Sequence, residues 1–183
     1  MTYRINIKGV ERDLPLCPLS DKLMIGAFVI FGDVELTVHC AKELLKIAPD
    51  FDYILTAESK GIPLAYEMAR QDGKRTYLLA RKSPKLYMKD MFSCEVKSIT
   101  TAASQTLYLD GDDVKAMKGK RILIVDDVIS TGKSLNSLET LVSRAGGIVC
   151  GKLCVLAEGD AKGRKDIGYL QYLPLFDTAG NPL

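Results

Sequence analysis

This 183-residue chain has little histidine and no paired cysteines. His39 is the one histidine and stands beside Cys40 in a helical pattern. The five cysteines (Cys17, Cys40, Cys94, Cys150 and Cys154) are odd in number, scattered, and contain no C-x-x-C pair. A zinc cluster needs convergent ligands and a disulfide framework needs an even, secretory set. Neither is expected, and the thiols read as small reduced hydrophobes. A single histidine also leaves no nucleophile–histidine pair of the hydrolytic kind. No apolar segment follows Met1 as a secretory signal would, and no apolar run is long enough to cross a membrane. Neither sign of charge dominates. A net charge of +2 is too mild for a nucleic-acid surface, so any electropositive site must be local. No repeat, low-complexity tract or Pro/Gly-rich linker divides the chain. With 47% hydrophobic and 26% charged residues, it is expected to form one cytoplasmic domain over 1–183.

What is present alternates between helix and strand signals. Asp33 is placed to cap a helix carrying Leu36, Cys40, Ala41, Leu44, Leu45 and Ala48, with Pro49 as its stop. Tyr53-Ile54-Leu55 reads as a short buried strand that runs into Glu58-Ser59-Lys60-Gly61. Pro63 suits the first turn of a second helix reaching about Arg70, and Thr76 to Ala80 forms the next strand. Ile122-Leu123-Ile124-Val125 is a continuous apolar run, the pattern of a parallel strand covered on both faces. The helix after it aligns Leu135, Leu138, Leu141 and Val142 and stops at Gly146-Gly147, and Ile148 to Leu156 is another apolar strand. This alternation implies an α/β fold with a mostly parallel sheet flanked by helices, its ligands lying beyond the strands' carboxyl ends. Between Ser83 and Asp110 the rhythm breaks. Glu95 to Ile99 and Thr106 to Leu109 alternate as an extended hairpin, readable as a mobile flap or as a surface hairpin.

The chemistry concentrates after the run at 122–125. Asp126 and Asp127 end a buried strand, and Ser130-Thr131-Gly132-Lys133-Ser134 leads into a helix. Free N–H groups in such a loop, the helix N-terminus and the hydroxyls make a phosphate cradle. Two carboxylates beside a phosphate repel it unless they hold hydroxyls, approach a metal, or face a developing positive charge. Gly132-Lys133-Ser134 has the ending of a P-loop, but the first glycine of that motif would fall at Asp127, and no G-x-G-x-x-G occurs in this turn. The bland alternative is a polar strand end followed by a helix cap.

Ile122 to Ser134 resembles the binding motif for phosphoribosyl pyrophosphate (PRPP) in type I phosphoribosyltransferases. The resemblance implies that Asp126 and Asp127 contact ribose hydroxyls and that Ser130, Thr131, Gly132, Lys133 and Ser134 hold the 5-phosphate. Ala57-Glu58-Ser59-Lys60-Gly61-Ile62-Pro63 is similar to the pyrophosphate loop of adenine-type and archaeal hypoxanthine/guanine-type enzymes, with Lys60 where adenine enzymes usually carry arginine. Arg81-Lys82-Ser83-Pro84-Lys85 resembles the stretch before the family's mobile loop, placed here at about 86–108. Pro18-Leu19-Ser20-Asp21 is similar to part of a base-covering hood, placed at about 1–30. By resemblance, Ser59, Lys60, Gly61, Arg81, Lys82 and Lys85 bind pyrophosphate. Glu58 joins the aspartates at ribose and magnesium, and Leu19, Asp21 and Glu158 line the base pocket. Arg70, Lys74 and Arg75 read as a solvated face.

The implied reaction is displacement of pyrophosphate from C1 of PRPP by a purine nitrogen, with oxocarbenium character in the transition state. Mg²⁺ arrives with PRPP rather than on a dedicated protein cluster, and a closing flap excludes water. Gly159, where some 6-oxopurine enzymes place lysine, tilts the substrate toward adenine. The likeness to archaeal enzymes tilts it toward hypoxanthine or guanine, and xanthine stays open. The loop at Glu58 argues against a pyrimidine substrate. A PRPP-sensing regulator is the rival of another class, and the short stretch before the hood leaves no room for a DNA-binding domain. The resemblance implies a homodimer. The tail from Tyr169 to Phe176 reads as either an interface or an edge strand.

Overall fold

The computed structural model describes residues 1–97 and 104–183. The chain begins with β1 (Thr2–Ile7) and β2 (Val10–Pro18), joined through Lys8 and Gly9, both at positive φ. Two such residues in a two-residue loop match the strands' right-handed twist. β3 (Met24–Gly26) follows, then α1 (Val34–Leu45), β4 (Tyr53–Ala57), α2 (Ile62–Gln71) and β5 (Leu78–Ala80). A hairpin of β6 (Phe92–Lys97) and β7 (Ser104–Leu109) precedes α3 (Gly111–Met117), β8 (Arg121–Ile129), α4 (Lys133–Arg144) and β9 (Ile148–Glu158). A 3₁₀ turn (Gly159–Gly163), β10 (Gly168–Leu173) and β11 (Leu175–Phe176) complete the order.

Five strands form a fully parallel sheet in the order β10-β9-β8-β4-β5. Alternation along β8 splits its side chains between two cores. Leu123 and Val125 join Leu36, Cys40, Ala41 and Leu44 of α1 and Leu64 and Met68 of α2. Ile122 and Ile124 join Leu135, Leu138, Leu141 and Val142 of α4. Covering both faces is what lets the strand be apolar throughout. The tail divides its two expected roles: β10 is the edge strand beside β9, while β11 crosses to pair with β3 in a second, antiparallel sheet of order β1-β2-β3-β11.

The expected helices and strands are present with shifted ends. The largest shift is in β8, which continues past Val125 to Ile129, paired with β9 through Val128↔Leu156 and Ile129↔Ala157. The acidic pair therefore lies within the strand and not just beyond it. The β6–β7 hairpin forms in antiparallel register, and Cys94, Leu107 and Leu109 at its base are buried against the α4 core. Ser98 and Ile99, with the rest of 98–103 in the proposed flap, lie outside the described residues. Among those described, no helix is long and apolar enough to cross a membrane.

Candidate active site

β4 feeds α2 and β5 on one side of the sheet, while β8 feeds α4 and β9 on the other. The two strands are neighbours, so a crevice opens beyond their carboxyl ends where the chain's direction reverses. Their pairing runs from Tyr53↔Ile122 to Leu55↔Ile124, and β8 continues beside β9 alone. Asp126 and Asp127 follow the last of these pairs, and both line a cleft of about 210 Å³ with Ala57, Glu58, Ser59, Lys60, Lys82, Val128 and Ser134. A second cavity of about 60 Å³ is lined by Asp126, Val128 and Ile129, by Ser130 to Ser134, and by Leu135. Asp126, Val128 and Ser134 line both.

Two helices begin at this crevice, and both start without a side-chain cap. Gly61 precedes α2 and Gly132 precedes α4. By contrast, Asp33 caps α1 and Asp110 caps α3. The first-turn N–H groups of an uncapped helix need an acceptor, and an anion meets that need while favouring the helix dipole. Gly132 has φ +74, and a β-carbon there would fall 2.1 Å from Nη1 of Arg164. At Gly61 a β-carbon would fall 2.2 Å from Oγ1 of Thr56 and 3.2 Å from Oδ1 of Asp126. At Gly61, with φ −71, glycine is needed for room alone, whereas at Gly132 the positive φ itself favours glycine and the guanidinium occupies the space beside it.

Charge is managed tightly here. Lys60 Nζ lies 3.0 Å from Oδ2 of Asp127, whose side chain is 4% exposed. The approach is an ion pair without hydrogen-bond alignment, and among the described residues that buried oxygen has no hydrogen-bond partner, as is also true of Thr56 Oγ1 and Arg81 Nε. The Asp127 N–H donates to Oδ1 of Asp126 at 2.9 Å. Burial, and then repulsion from Asp127, push the Asp126 carboxyl up to about 7. Near neutral pH the pair thus holds less than two full charges. Across the cleft, the Lys82 N–H donates to Oε2 of Glu58 at 3.0 Å, and Arg81 Nη1 lies 3.5 Å from Oε1. The Lys82 N–H, followed by the charge of Arg81, holds the Glu58 carboxyl below its ordinary range against the cost of desolvation. Burial raises that of Glu158, with Lys60 opposing and Asp127 adding.

The structure brings together Glu58, Ser59, Lys60, Gly61, Lys82, Asp126, Asp127 and the loop from Ser130 to Ser134, with Arg81 tied to them through Glu58. Lys85 donates to Ser83 Oγ at 2.9 Å and does not line the cleft. Leu19 and Asp21 sit exposed on the turn between β2 and β3, and neither lines the cleft. Glu158 ends β9, opposite Leu173 of β10. Sequence reasoning did not single out Thr56, whose hydroxyl lies under Gly61, or Val128. A threonine inside an otherwise apolar strand at 53–57 is the signal that marks the first.

The carboxylates supply hard oxygen donors, and Asp127 Oδ2 is buried without a hydrogen bond. Among the described residues, no three His, Cys, Asp or Glu side chains converge as a cation cage. The donor set fits a divalent cation such as Mg²⁺ that takes most of its ligands from a phosphate-bearing substrate.

The model of the phosphoribosyl transferase domain matches residues 39–174. A hypoxanthine/guanine phosphoribosyltransferase of Methanococcus voltae is 30% identical, with 96% of this chain and 88% of that protein covered. An adenine phosphoribosyltransferase of Petrotoga mobilis is 27% identical, covering 82% of this chain and 85% of that protein. The crystal structure of an adenine phosphoribosyltransferase from Thermoanaerobacter pseudethanolicus superposes with a TM-score of 0.66 at 25% identity, over 78% of this chain and 84% of that one. The chain belongs to the phosphoribosyltransferase family, a class of glycosyl-transferring enzymes.

Proposed function

We propose that the chain is a purine phosphoribosyltransferase of purine salvage that moves ribose 5-phosphate from PRPP to a purine nitrogen and releases pyrophosphate, with adenine the favoured base. The observation that carries this reading is the joining of the two cavities at Asp126 and Ser134. An anion cradle on one side and a cationic strip on the other fit the two phosphate-bearing ends of PRPP, with carboxylates between them where the ribose must lie.

The roles follow from the surroundings of each group. The small cavity and the open N-terminus of α4 take the 5-phosphate through backbone N–H groups and the hydroxyls of Ser130, Thr131 and Ser134. Ser59, Lys60, the Gly61 turn, Arg81 and Lys82 face the pyrophosphate. Lys85 would join them only by turning away from Ser83. Asp126 and Asp127 hold the ribose hydroxyls, and their charge favours the electron-poor sugar carbon as the leaving group departs. Glu58 fixes Arg81 and Lys82 in place, a role supported by its two contacts with them. Mg²⁺ would be held by PRPP with Asp126, Asp127 and Glu58 at its edge, supplying neutralisation of the departing pyrophosphate.

The antiparallel sheet of β1, β2, β3 and β11 acts as the hood over the base, with Leu19 and Asp21 closing over it and Glu158 lining its floor. The segment at 86–108 closes the site against water. Val34, Val38 and Tyr66 are exposed apolar side chains that line one groove across α1 and α2 with Ile30 and Pro63, and this face pairs two copies into a homodimer. The enzyme works in the cytoplasm. A hypoxanthine/guanine substrate is the second reading, favoured by the relative from Methanococcus voltae.

Asp127→Asn tests the assignment. It should abolish base-dependent pyrophosphate release while the protein still folds. Wild-type turnover in that variant would contradict the roles given to the pair. Tight PRPP binding by the unmodified protein with no turnover on any base would instead favour a sensor.

A further inference from the structure

We propose that Arg164 is a positioning residue for the 5-phosphate, its guanidinium bracing the loop from Ser130 to Ser134 at Gly132. The inference rests on the reading of that loop as the 5-phosphate site. Arg164 follows the 3₁₀ turn between β9 and β10, remote in sequence from the loop. Its Nε and Nη2 donate to the two oxygens of Asp166 at 3.0 and 2.7 Å, a fork that fixes the plane of the guanidinium. Asp166 is itself held by Lys152 Nζ at 2.6 Å, and Lys152 also donates to Glu139 of α4 at 2.6 Å. Lys152 is only 13% exposed, so the network ties α4, β9 and the Arg164 loop into one unit.

With one edge of the fork committed to Asp166, Nη1 makes no hydrogen bond among the described residues and packs against Gly132. A β-carbon at that glycine would lie 2.1 Å from Nη1 and 3.3 Å from Cζ. The guanidinium thus fills the space a side chain at 132 would take. It meets the turn at the residue whose positive φ starts α4. The cluster pairs two cations, Arg164 and Lys152, with two carboxylates, Asp166 and Glu139, and is neutral as a whole. Its orientation matters more than its net charge, because the cationic edge faces the loop and the carboxylates lie behind it. The field at the loop therefore adds to that of the uncapped helix. Both effects act on the 5-phosphate end of PRPP and leave the pyrophosphate end alone.

Calorimetric titration of the full chain with ribose 5-phosphate, and separately with pyrophosphate, tests this. Arg164→Gln should weaken ribose 5-phosphate about tenfold, through loss of the brace and of its cationic edge, and leave pyrophosphate affinity unchanged. Arg164→Lys should recover part of the loss. Asp166→Asn, which keeps the arginine but frees its plane, should fall between, and either variant carries the test should Arg164→Gln not fold. In turnover, KM for PRPP should rise while kcat holds. Equal weakening of both ligands, or a fall in kcat and melting temperature at unchanged ribose 5-phosphate affinity, would mark Arg164 as merely structural and overturn the proposal. Thr131→Ala and Ser134→Ala are run alongside. Should they leave ribose 5-phosphate binding untouched, the loop reading falls and the proposal with it. Should they weaken it while Arg164 and Asp166 variants do not, only the proposal falls.

Discussion

Lys60 Nζ stands 3.0 Å from Asp127 Oδ2, pairing a cation that is 46% exposed with a carboxylate that is 4% exposed. Among the described residues that oxygen makes no hydrogen bond, so the lysine is what makes its burial tolerable before any substrate arrives. In the proposed site, pyrophosphate would enter beside Lys60 and compete with Asp127 for the same ammonium group.

Lys60→Met removes that compensation. The expected cost is about 1–2 kcal/mol of stability, less than for a fully buried pair because the lysine is half in water. The affinity for pyrophosphate should fall as well. Lys60→Arg should restore the charge and much of the affinity. Denaturant unfolding and pyrophosphate titration on the three proteins check this, and a Lys60→Met protein with unchanged affinity would remove the residue from the pyrophosphate site.

Asp126 gives a dependence on pH. Its carboxyl is raised from an ordinary value of 3.8 to about 7, so across that window the folded protein binds more protons than the unfolded one. Stability from this group is therefore fully present at acid pH and declines as pH rises through the window. Asp126→Asn should gain stability on the order of 1–3 kcal/mol at pH 8 and little at pH 4, while losing activity. Unfolding curves at the two pH values decide it. An equal effect at both would mean that the carboxyl titrates normally.

Gly61 and Thr56 form a testable pair. Gly61→Ala places a methyl group 2.2 Å from the hydroxyl of Thr56, which is fully buried and packed on all sides, and 3.4 Å from the Asp126 backbone. The turn must shift, and a displacement on the order of 1 Å costs roughly a hundredfold in turnover efficiency. Thr56→Ala removes the obstructing oxygen, so the double variant should recover part of the loss. Strict additivity of the two losses would refute a direct clash.

The sequence carried the parts of this site that depend on local pattern. The apolar run at 122–125 marked the central strand because both of its faces are covered, and the acidic pair followed by Thr131-Gly132 marked the cradle. Pro63 marked the start of α2 within a residue. The extension of β8 to Ile129 was hidden because two aspartates look like the start of a loop, and only pairing with β9 keeps the segment extended. The helix α3 spans seven residues, too few for a periodic signal. The contact of Arg164 with Gly132 joins positions more than thirty residues apart through a fork fixed by Asp166, and nothing in the spacing announces it. Leu19 and Asp21 were reached by likeness of a short segment, and the turn that carries them is exposed.

The most direct test of the central claim is pyrophosphate release from PRPP and Mg²⁺ with adenine, hypoxanthine, guanine, xanthine and orotate supplied one at a time. Rapid release with a purine, adenine foremost, and none with orotate is the expected result. Release with orotate alone, or with no base despite measurable PRPP binding, would contradict it.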